Sequence, residues 1–343
     1  MNSIAIIIPN WNGIHEIEAC LRSLEKQTAR PTIIVVDNGS TDGSKELIEE
    51  SFPNVIVLPQ PHNLGFAGGV NVGIRYALER DFAYIGLFNS DAVADSAWAN
   101  TLRKTLETDL QVGIATGLLL HSDGKTIDST GDWYSIWGLP FPRGRGKLAR
   151  SAEGAGPVFS GSGGASIYRA ELFRTVGLFD ETFFAYYEDV DISFRAQLAG
   201  YTVFYNPKAI AYHERGSAST RINTTKQTAS TKVSGFTVYQ TFKNLPILYR
   251  KNIPNELRST IGPRFYLAYS LMLAHAIKKG HGTSAIKGLI QSIMLIPYAQ
   301  RERRTIQGHR SVSIEYILTI IWPDLPPDQT GLRKLRKFFT GKK

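Results

Sequence analysis

Cysteine is nearly absent: the 343-residue chain holds one, Cys20, beside three methionines. A lone thiol excludes an internal disulfide and fits a reducing compartment. Two nucleotide-binding fingerprints are also missing. No segment has the Gly-x-Gly-x-x-Gly spacing of a dinucleotide site, and none has the Gly-x-x-x-x-Gly-Lys of a phosphate loop. Long apolar runs are lacking too. Ile4 to Ile8 is too short for the core of a signal peptide, and Pro9-Asn10-Trp11-Asn12 follows at once. Phe265 to Ile277 and Gly288 to Gln300 carry no charged residue, but each falls short of the about 20 residues a bilayer span needs.

Acidic residues are scarce in only one part of the chain. Residues 215–343 hold 5 Asp/Glu against 22 Lys/Arg, a net of +17; residues 1–214 hold 25 against 17, a net of −8. A basic module of this kind points to an anionic partner: nucleic acid, a membrane surface or a phosphorylated substrate. Hydrophobic residues at 43% and charged residues at 20% describe a globular chain. Its length suits one large domain with an appendage, or two modest domains.

Along the front half, short apolar runs alternate with helical patterns. Ile4 to Ile8, Thr32 to Val36, Val55 to Leu58 and Tyr84 to Phe88 read as buried strands. Helices are expected over His15 to Glu25, Ser44 to Glu50 (capped by Ser40 or Thr41), Val70 to Leu78 and about Ala94 to Leu106. Such units call for an α/β fold with a largely parallel, doubly wound sheet and right-handed crossovers. Gly65, Gly68 and Gly69 either admit a ligand to the backbone or only permit tight helix–strand packing. The Gly-, Ser- and Arg-rich stretch from His121 to Gly156 reads as a long loop, a lid or binding surface. A further strand is expected over Thr202 to Tyr205.

Two acid sites stand out. Asp91, in Asn89-Ser90-Asp91, follows a strand at the end where open α/β sheets keep their ligands; the plainer alternative is that it caps the next helix. Glu188, Asp189 and Asp191 follow the aromatic-rich run Phe183 to Tyr187 at the start of a helix reaching about Ala199. The helix dipole accounts for one or two of these acids, at about 0.3–1 kcal/mol each. A carboxylate partly desolvated by aromatics has its pKa raised toward the range of a general base. His213 comes next in the chain, as a ligand or as a packing residue.

In order along the chain, Ile7-Ile8-Pro9-Asn10-Trp11-Asn12, Val35-Val36-Asp37-Asn38-Gly39-Ser40-Thr41-Asp42, Asn63-Leu64-Gly65-Phe66-Ala67-Gly68-Gly69-Val70-Asn71, Asn89-Ser90-Asp91, Gly177-Leu178-Phe179-Asp180-Glu181, Tyr187-Glu188-Asp189-Val190-Asp191 and His213 form an ordered set. Over residues 4–215 the chain resembles the family 2 glycosyltransferases of the GT-A fold, especially rhamnosyltransferase-like and galactofuranosyltransferase-like members. The resemblance implies an inverting transfer of a sugar from a nucleoside-diphosphate donor to an acceptor hydroxyl. It implies that Asp37 binds the donor nucleoside with Pro9 and Asn12, and that Asn63, Gly65, Asn89 and Ser90 line the donor side. Asp91 would hold Mg2+ or Mn2+ on the diphosphate, and His213 reaches that metal or the diphosphate. Asp189 matches the catalytic base, with Glu188, Asp191 and Tyr187 toward the acceptor or behind the base. Asn89 departs from the family: it replaces the first acid of the Asp-x-Asp motif, which implies a metal site that is weaker or that leans more on the donor's own oxygens.

Residues 1–215 are thus expected to be the catalytic domain and 216–343 a basic helical region, with helices over Val233 to Arg250, Arg264 to Lys279 and Ser284 to about Ile296. That region reads either as a soluble bundle or as a module docking on an anionic membrane surface, with Lys278, Lys279, Lys287, Arg301, Arg303 and Arg304 bordering apolar faces. The expected enzyme is cytoplasmic and peripheral on the inner face of the plasma membrane. It would use a glycan or polyprenyl-diphosphate-linked acceptor, and the resemblance favours L-rhamnose from dTDP-rhamnose; a homo-oligomer stays open. Two other functions compete. A nucleotidyltransferase also uses an acid-bound metal on an α/β sheet, but the Glu188-Asp189 site disfavours it. A nucleic-acid-binding protein is disfavoured because the aromatics lie in apolar helical stretches rather than among basic residues.

Overall fold

Every residue of Ile4 to Ile8 is apolar because both faces of its strand are covered. In the computed structural model, which describes residues 3–214 and 234–327, this segment lies in β1 (Ile4–Asn10). Ile4, Ile6 and Ile8 pack with Leu21, Trp98 and Leu102 on one side, while Ala5 and Ile7 pack with Val70 and Ile74 on the other. Period-two alternation therefore divides one strand between two apolar layers. The helices supplying those layers are α1 (Ile17–Glu25), α2 (Ser44–Ser51), α3 (Gly65–Glu79) and α4 (Trp98–Thr108).

The chain forms two compact units. The first comprises described residues 3–131 and 142–214 and is built on one mixed sheet. Its main path runs β10 (Gly156–Val158), β12 (Thr202–His213), β6 (Val112–His121), β11 (Ala165–Arg169), β4 (Tyr84–Phe88), β1, β2 (Thr32–Asp37), β3 (Ile56–Pro59). The short strands β5 (Ala92–Ala94) and β7 (Ile127–Ser129) pair with β12 and β6. β1, β2, β3 and β4 are parallel, as their spacing predicts. β11 instead runs antiparallel to both neighbours, β4 and β6, so the sheet is less uniformly parallel than the sequence suggests. Helices α5 (Ala170–Val176) and α6 (Glu188–Leu198) follow β11.

Other expectations need correction. Helix α3 begins at Gly65 rather than Val70, so the glycines are inside it. Gly65 has φ +74°, and a Cβ there would lie 2.4 Å from the Phe184 carbonyl oxygen. Gly69 would meet Asn38 and Gly73 would meet Ile7. Tight packing is what these positions require. Neither Ser40 nor Thr41 caps α2: its N-cap is Gly43, and Asp42 accepts the Ser44 N–H at 3.1 Å. The stretch 121–156 is not one open loop, since it contains β7 and a cross-linked turn at Thr130 and Arg143.

β12 runs eight residues past its expected end, to His213. Asn206-Pro207, just past that expected end, opens a bulge: the register with β6 jumps between Asn206 and Ile210. Gly117 of β6 makes room for that bulge, because a Cβ there would lie 2.1 Å from the Ala209 carbonyl oxygen.

The second unit comprises residues 132–141 and described residues 234–327. Residues 132–141 therefore fold with the C-terminal helices, not with the first domain as expected. β8 (Asp132–Tyr134) and β9 (Pro140–Pro142) pair with each other, and Trp133 and Phe141 both rest on Trp322. The helices are α7 (Gly235–Asn252), α8 (Arg258–Lys278), α9 (Gly282–Met294), α10 (Ile296–Gly308) and α11 (Ile314–Ile320). Arg303 and Gln307 of α10 donate to carbonyl oxygens of Arg250, Ile253 and Asn252, satisfying the buried C-terminal end of α7. Among the described residues no helix is long and apolar enough to cross a membrane.

Because the Gly117 contact is with backbone, no rotamer change relieves it. Gly117→Ala is expected to cost about 1–3 kcal/mol, as overpacked sites do, read as a lower urea midpoint; an unchanged midpoint would contradict the bulge.

Candidate active site

The ends of β1 and β2 are tied together by short polar side chains. Asn10, fully buried, donates through Nδ2 to Ser44 Oγ at 2.9 Å and Ser40 Oγ at 3.3 Å. The Asn12 N–H donates to Ser40 Oγ at 3.0 Å, and Asn12 Oδ1 accepts the Thr41 N–H at 2.8 Å. Asp37 closes β2, buried, with Oδ2 accepting the Ser40 N–H at 3.4 Å. Its Oδ1 has no hydrogen-bond partner among the described residues. Asn38 donates to the Gly65 carbonyl oxygen at 2.9 Å and accepts the Leu64 N–H at 3.2 Å. Asn63 Oδ1 accepts the Gly65 N–H at 2.8 Å. Pro9, Asn12, Asp37, Asn63 and Gly65 thus share the carboxyl edge of the parallel strands.

Asp91 does not cap α4, whose N-cap is Ala97. The chain passes from Asp91 into β5, and antiparallel pairing sets Ala92 opposite His213. That pairing puts His213 Nε2 at 3.0 Å from Asp91 Oδ1 and 3.2 Å from Asn89 Nδ2. On the other side of the ring, Nδ1 lies 2.8 Å from Asp128 Oδ2. Asp128 is a functional candidate that the sequence reading missed; nothing in Ile127-Asp128-Ser129 sets it apart from an acid on an exposed strand. Its side chain is fully buried, with Arg145 Nε at 3.5 Å and His121 Nε2 at 3.8 Å. Burial alone would push the His213 imidazolium pKa down, but the hydrogen bonds it donates to Asp128 and Asp91, and their charges, outweigh it and hold it up at about 9.

The second acid group starts α6. Asp189 is half-buried: Oδ2 accepts the Gly163 N–H at 3.0 Å, and Oδ1 accepts the Val190 N–H at 2.8 Å. Glu188 is buried beside it. Asp191 points elsewhere: fully buried, it pairs with Arg195 at 2.9 Å. Arg195 in turn donates to the carbonyl oxygens of Val176 and Leu178 at 2.6 and 2.8 Å. Asp191 therefore fixes α6 to the preceding turn. Before the helix, Phe184, Tyr186 and Tyr187 all have positive φ, between +63° and +71°. Such backbone costs about 1–3 kcal/mol per residue, and anchors on both sides hold it. Asn71 donates to the Phe179 carbonyl oxygen and to Glu181 at 2.8 and 2.9 Å, while the Phe184 carbonyl accepts the Ala67 N–H at 3.2 Å.

Two glycines connect the acid groups. Gly163 binds Asp189, and the next residue, Gly164, accepts the Asn89 N–H through its carbonyl at 2.9 Å. A Cβ on Gly164 would lie 3.0 Å from Asn89 Nδ2, so the approach is close.

A family model described as Glycosyl transferase family 2 matches residues 5–177. The chain belongs to that family. This glycosyltransferase is 29% identical over 249 residues to the N-acetylglucosaminyl-diphospho-decaprenol L-rhamnosyltransferase of Mycobacterium tuberculosis, covering 64% of this chain and 78% of that protein. Its fold matches S. aureus TarS, residues 1–349, in complex with UDP-GlcNAc: TM-score 0.55, 15% identity, 89% of this chain and 90% of that one. It also matches the mannosyltransferase PcManGT from Pyrobaculum calidifontis in complex with GDP-Man and Mn2+: TM-score 0.52, 15% identity, 93% of this chain and 87% of that one.

Among the described residues no group of three or more His, Cys, Asp or Glu is placed to hold one metal ion. Asp128 cannot join Asp91 around a cation, because the His213 ring lies between them. One carboxylate and one imidazole nitrogen remain. That donor set fits a divalent ion such as Mg2+ or Mn2+, which takes few protein ligands and completes its shell with water and phosphate oxygens.

For the metal-free glycosyltransferase, the raised His213 pKa fixes a pH dependence. The group's folded value, about 9, exceeds its ordinary value of about 6.5. Its contribution to stability is therefore full below about 6.5 and lost as pH rises through about 9. In EDTA, thermal midpoints are expected to fall over that window, and His213→Gln to flatten the fall; a parallel profile for the variant would remove His213 as its source.

Proposed function

We propose that this glycosyltransferase is inverting and metal-dependent, moving a sugar from a nucleoside-diphosphate donor to a hydroxyl of a polyprenyl-diphosphate-linked or polysaccharide acceptor in bacterial surface-glycan synthesis. The observation that carries the reading is the connected line Asp189–Gly163–Gly164–Asn89–His213–Asp91. A base and a leaving-group site must flank one sugar, and this line joins two acid groups about a hundred residues apart in sequence.

In the proposed reaction, Asp37 receives the donor's nucleoside, with Pro9 and Asn12 beside it and a carboxylate oxygen to spare. Asn63, Gly65, Asn89 and Ser90 line the donor's path toward Asp91. Asp91 and Nε2 of His213 hold the divalent ion, which when bound neutralises a diphosphate leaving group that needs no proton. Asp189 takes the proton of the acceptor hydroxyl as its oxygen attacks the anomeric carbon, and the bond to the diphosphate breaks on the opposite face. Gly163 keeps Asp189 aimed, and Glu188 and Tyr187 support it from behind. Similarity to the mycobacterial L-rhamnosyltransferase supports L-rhamnose as the sugar, and the proposed donor is dTDP-rhamnose.

The surface of the second unit supports a peripheral site of action on the inner face of the plasma membrane. α9 packs through small residues, Ala285, Gly288 and Ser292, and turns Ile286, Ile290, Ile293 and Met294 outward. Lys287 of α9, Lys278 and Lys279 at the end of α8, and Arg301 and Arg304 of α10 are exposed, whereas Arg303, expected with them, is buried. An apolar face with basic neighbours suits an anionic bilayer, where a polyprenyl acceptor resides.

The reading is tested with a panel of nucleotide sugars, with and without EDTA, scoring release of the nucleoside diphosphate. Turnover of dTDP-rhamnose, abolished by EDTA, is expected; preference for another sugar overturns the rhamnose assignment, and indifference to EDTA overturns the metal. Asp189→Asn is expected to lower kcat about 10²–10⁴-fold with donor binding intact, and near-normal turnover would remove its role. In flotation with anionic vesicles at low salt, the protein should rise with the lipid and an Ile290→Glu/Ile293→Glu variant should stay behind. Failure of the unaltered protein to float would sink the membrane proposal.

A further inference from the structure

Asp128 is a buried carboxylate with a short hydrogen bond to one nitrogen of His213, while the ring's other nitrogen faces Asp91. Burying a carboxylate is costly without strong partners, so the geometry of its neighbours matters. Arg145 at 3.5 Å and His121 at 3.8 Å are ion-pair distances; the 2.8 Å approach of His213 Nδ1 is the hydrogen bond. On the far side Nε2 faces the carboxylate of Asp91 at 3.0 Å and the amide nitrogen of Asn89 at 3.2 Å. With the ring neutral, the shorter contact, Nδ1 to Asp128, holds the proton on Nδ1 and leaves the lone pair on Nε2, beside Asp91 and Asn89.

We propose that Asp128 is the positioning residue of the cation site, fixing the ring angle and tautomer of His213 so that Nε2 is presented beside Asp91 as a ligand. This rests on the proposed role of Asp91 and His213 in holding the divalent ion. Asp128 touches neither ion nor substrate; it acts through the imidazole, as carboxylates behind metal-bound histidines do. Asn89 adds an uncharged polar neighbour on the Nε2 side of the ring.

The test measures Mn2+ affinity by calorimetry or EPR, with donor nucleotide bound, in the unaltered protein, Asp128→Asn, His213→Ala and the double variant. Asp128→Asn should bind Mn2+ about 10–100-fold more weakly, and should add no further loss on top of His213→Ala, as coupling through one ring demands. If Asp128→Asn binds Mn2+ like the unaltered protein, or adds its full loss in the His213→Ala background, the positioning role is overturned and the cation site stands. If the unaltered protein binds no Mn2+, the cation site falls and Asp128's role with it. A measurement without any variant guards against misfolding. In alkaline, metal-free solution, long-range 1H–15N spectra of the unaltered protein should show His213 protonated on Nδ1; a proton on Nε2 overturns the proposal.

Discussion

Three residue pairs of antiparallel sheet, Ala92–Ala94 against Ala211–His213, are the constraint on which the site depends. Without that pairing Asp91 is an acid at the end of a strand and His213 the end of another. With it, residues 122 apart in the chain meet at hydrogen-bond distance. The pairing in turn depends on β12 continuing past Pro207, which needs the bulge that Gly117 accommodates. A glycine in the middle of the sheet thereby sets the position of an imidazole four residue pairs further along β12, because strand register transmits displacement without loss.

The second acid group is positioned differently. Asp189 starts a helix, where the dipole favours its charge, but the segment before it is held in left-handed backbone at three non-glycine residues. Such a segment persists only when its surroundings over-determine it. Asn71 and Ala67 of α3 supply that determination from one side, and the Asp191–Arg195 pair supplies it from the other. Thus of three adjacent acids, one holds the helix in place so that another can face the glycine bridge. The rule that buried ion pairs contribute little net stability is no objection, since here the pair's effect is on orientation.

Legibility in the sequence followed the range of the interactions. The strands from Ile4, Thr32, Val55 and Tyr84 were legible because burial on both faces writes a continuous apolar run. Asp37, Asp91, Asp189 and His213 were legible as an ordered set of motifs. What the sequence hid was non-local: the antiparallel insertion of β11, the continuation of β12 through Asn206-Pro207, and the departure of residues 132–141 to the second unit. Asp128 was hidden for the same reason. Its neighbours in sequence say surface strand, and only the approach of β12 turns it into a buried partner of His213. Asp191 erred in the opposite direction, since adjacency to Asp189 suggested a shared task that a helical turn of about 100° per residue separates.

Asn89 in place of an acid follows from charge. Asp91 and Asp128 already bring two carboxylates to one imidazole, with Arg145 and His121 nearby as partial compensation. A third carboxylate at 89 would add a second negative charge beside the ring nitrogen that already faces Asp91. Like charges this close also raise one another's proton affinity, so an acid at 89 would bind a proton more readily than an isolated one. The amide brings no charge to that nitrogen, so Asn89 is the neutral member of a cluster with one carboxylate on each side of the ring.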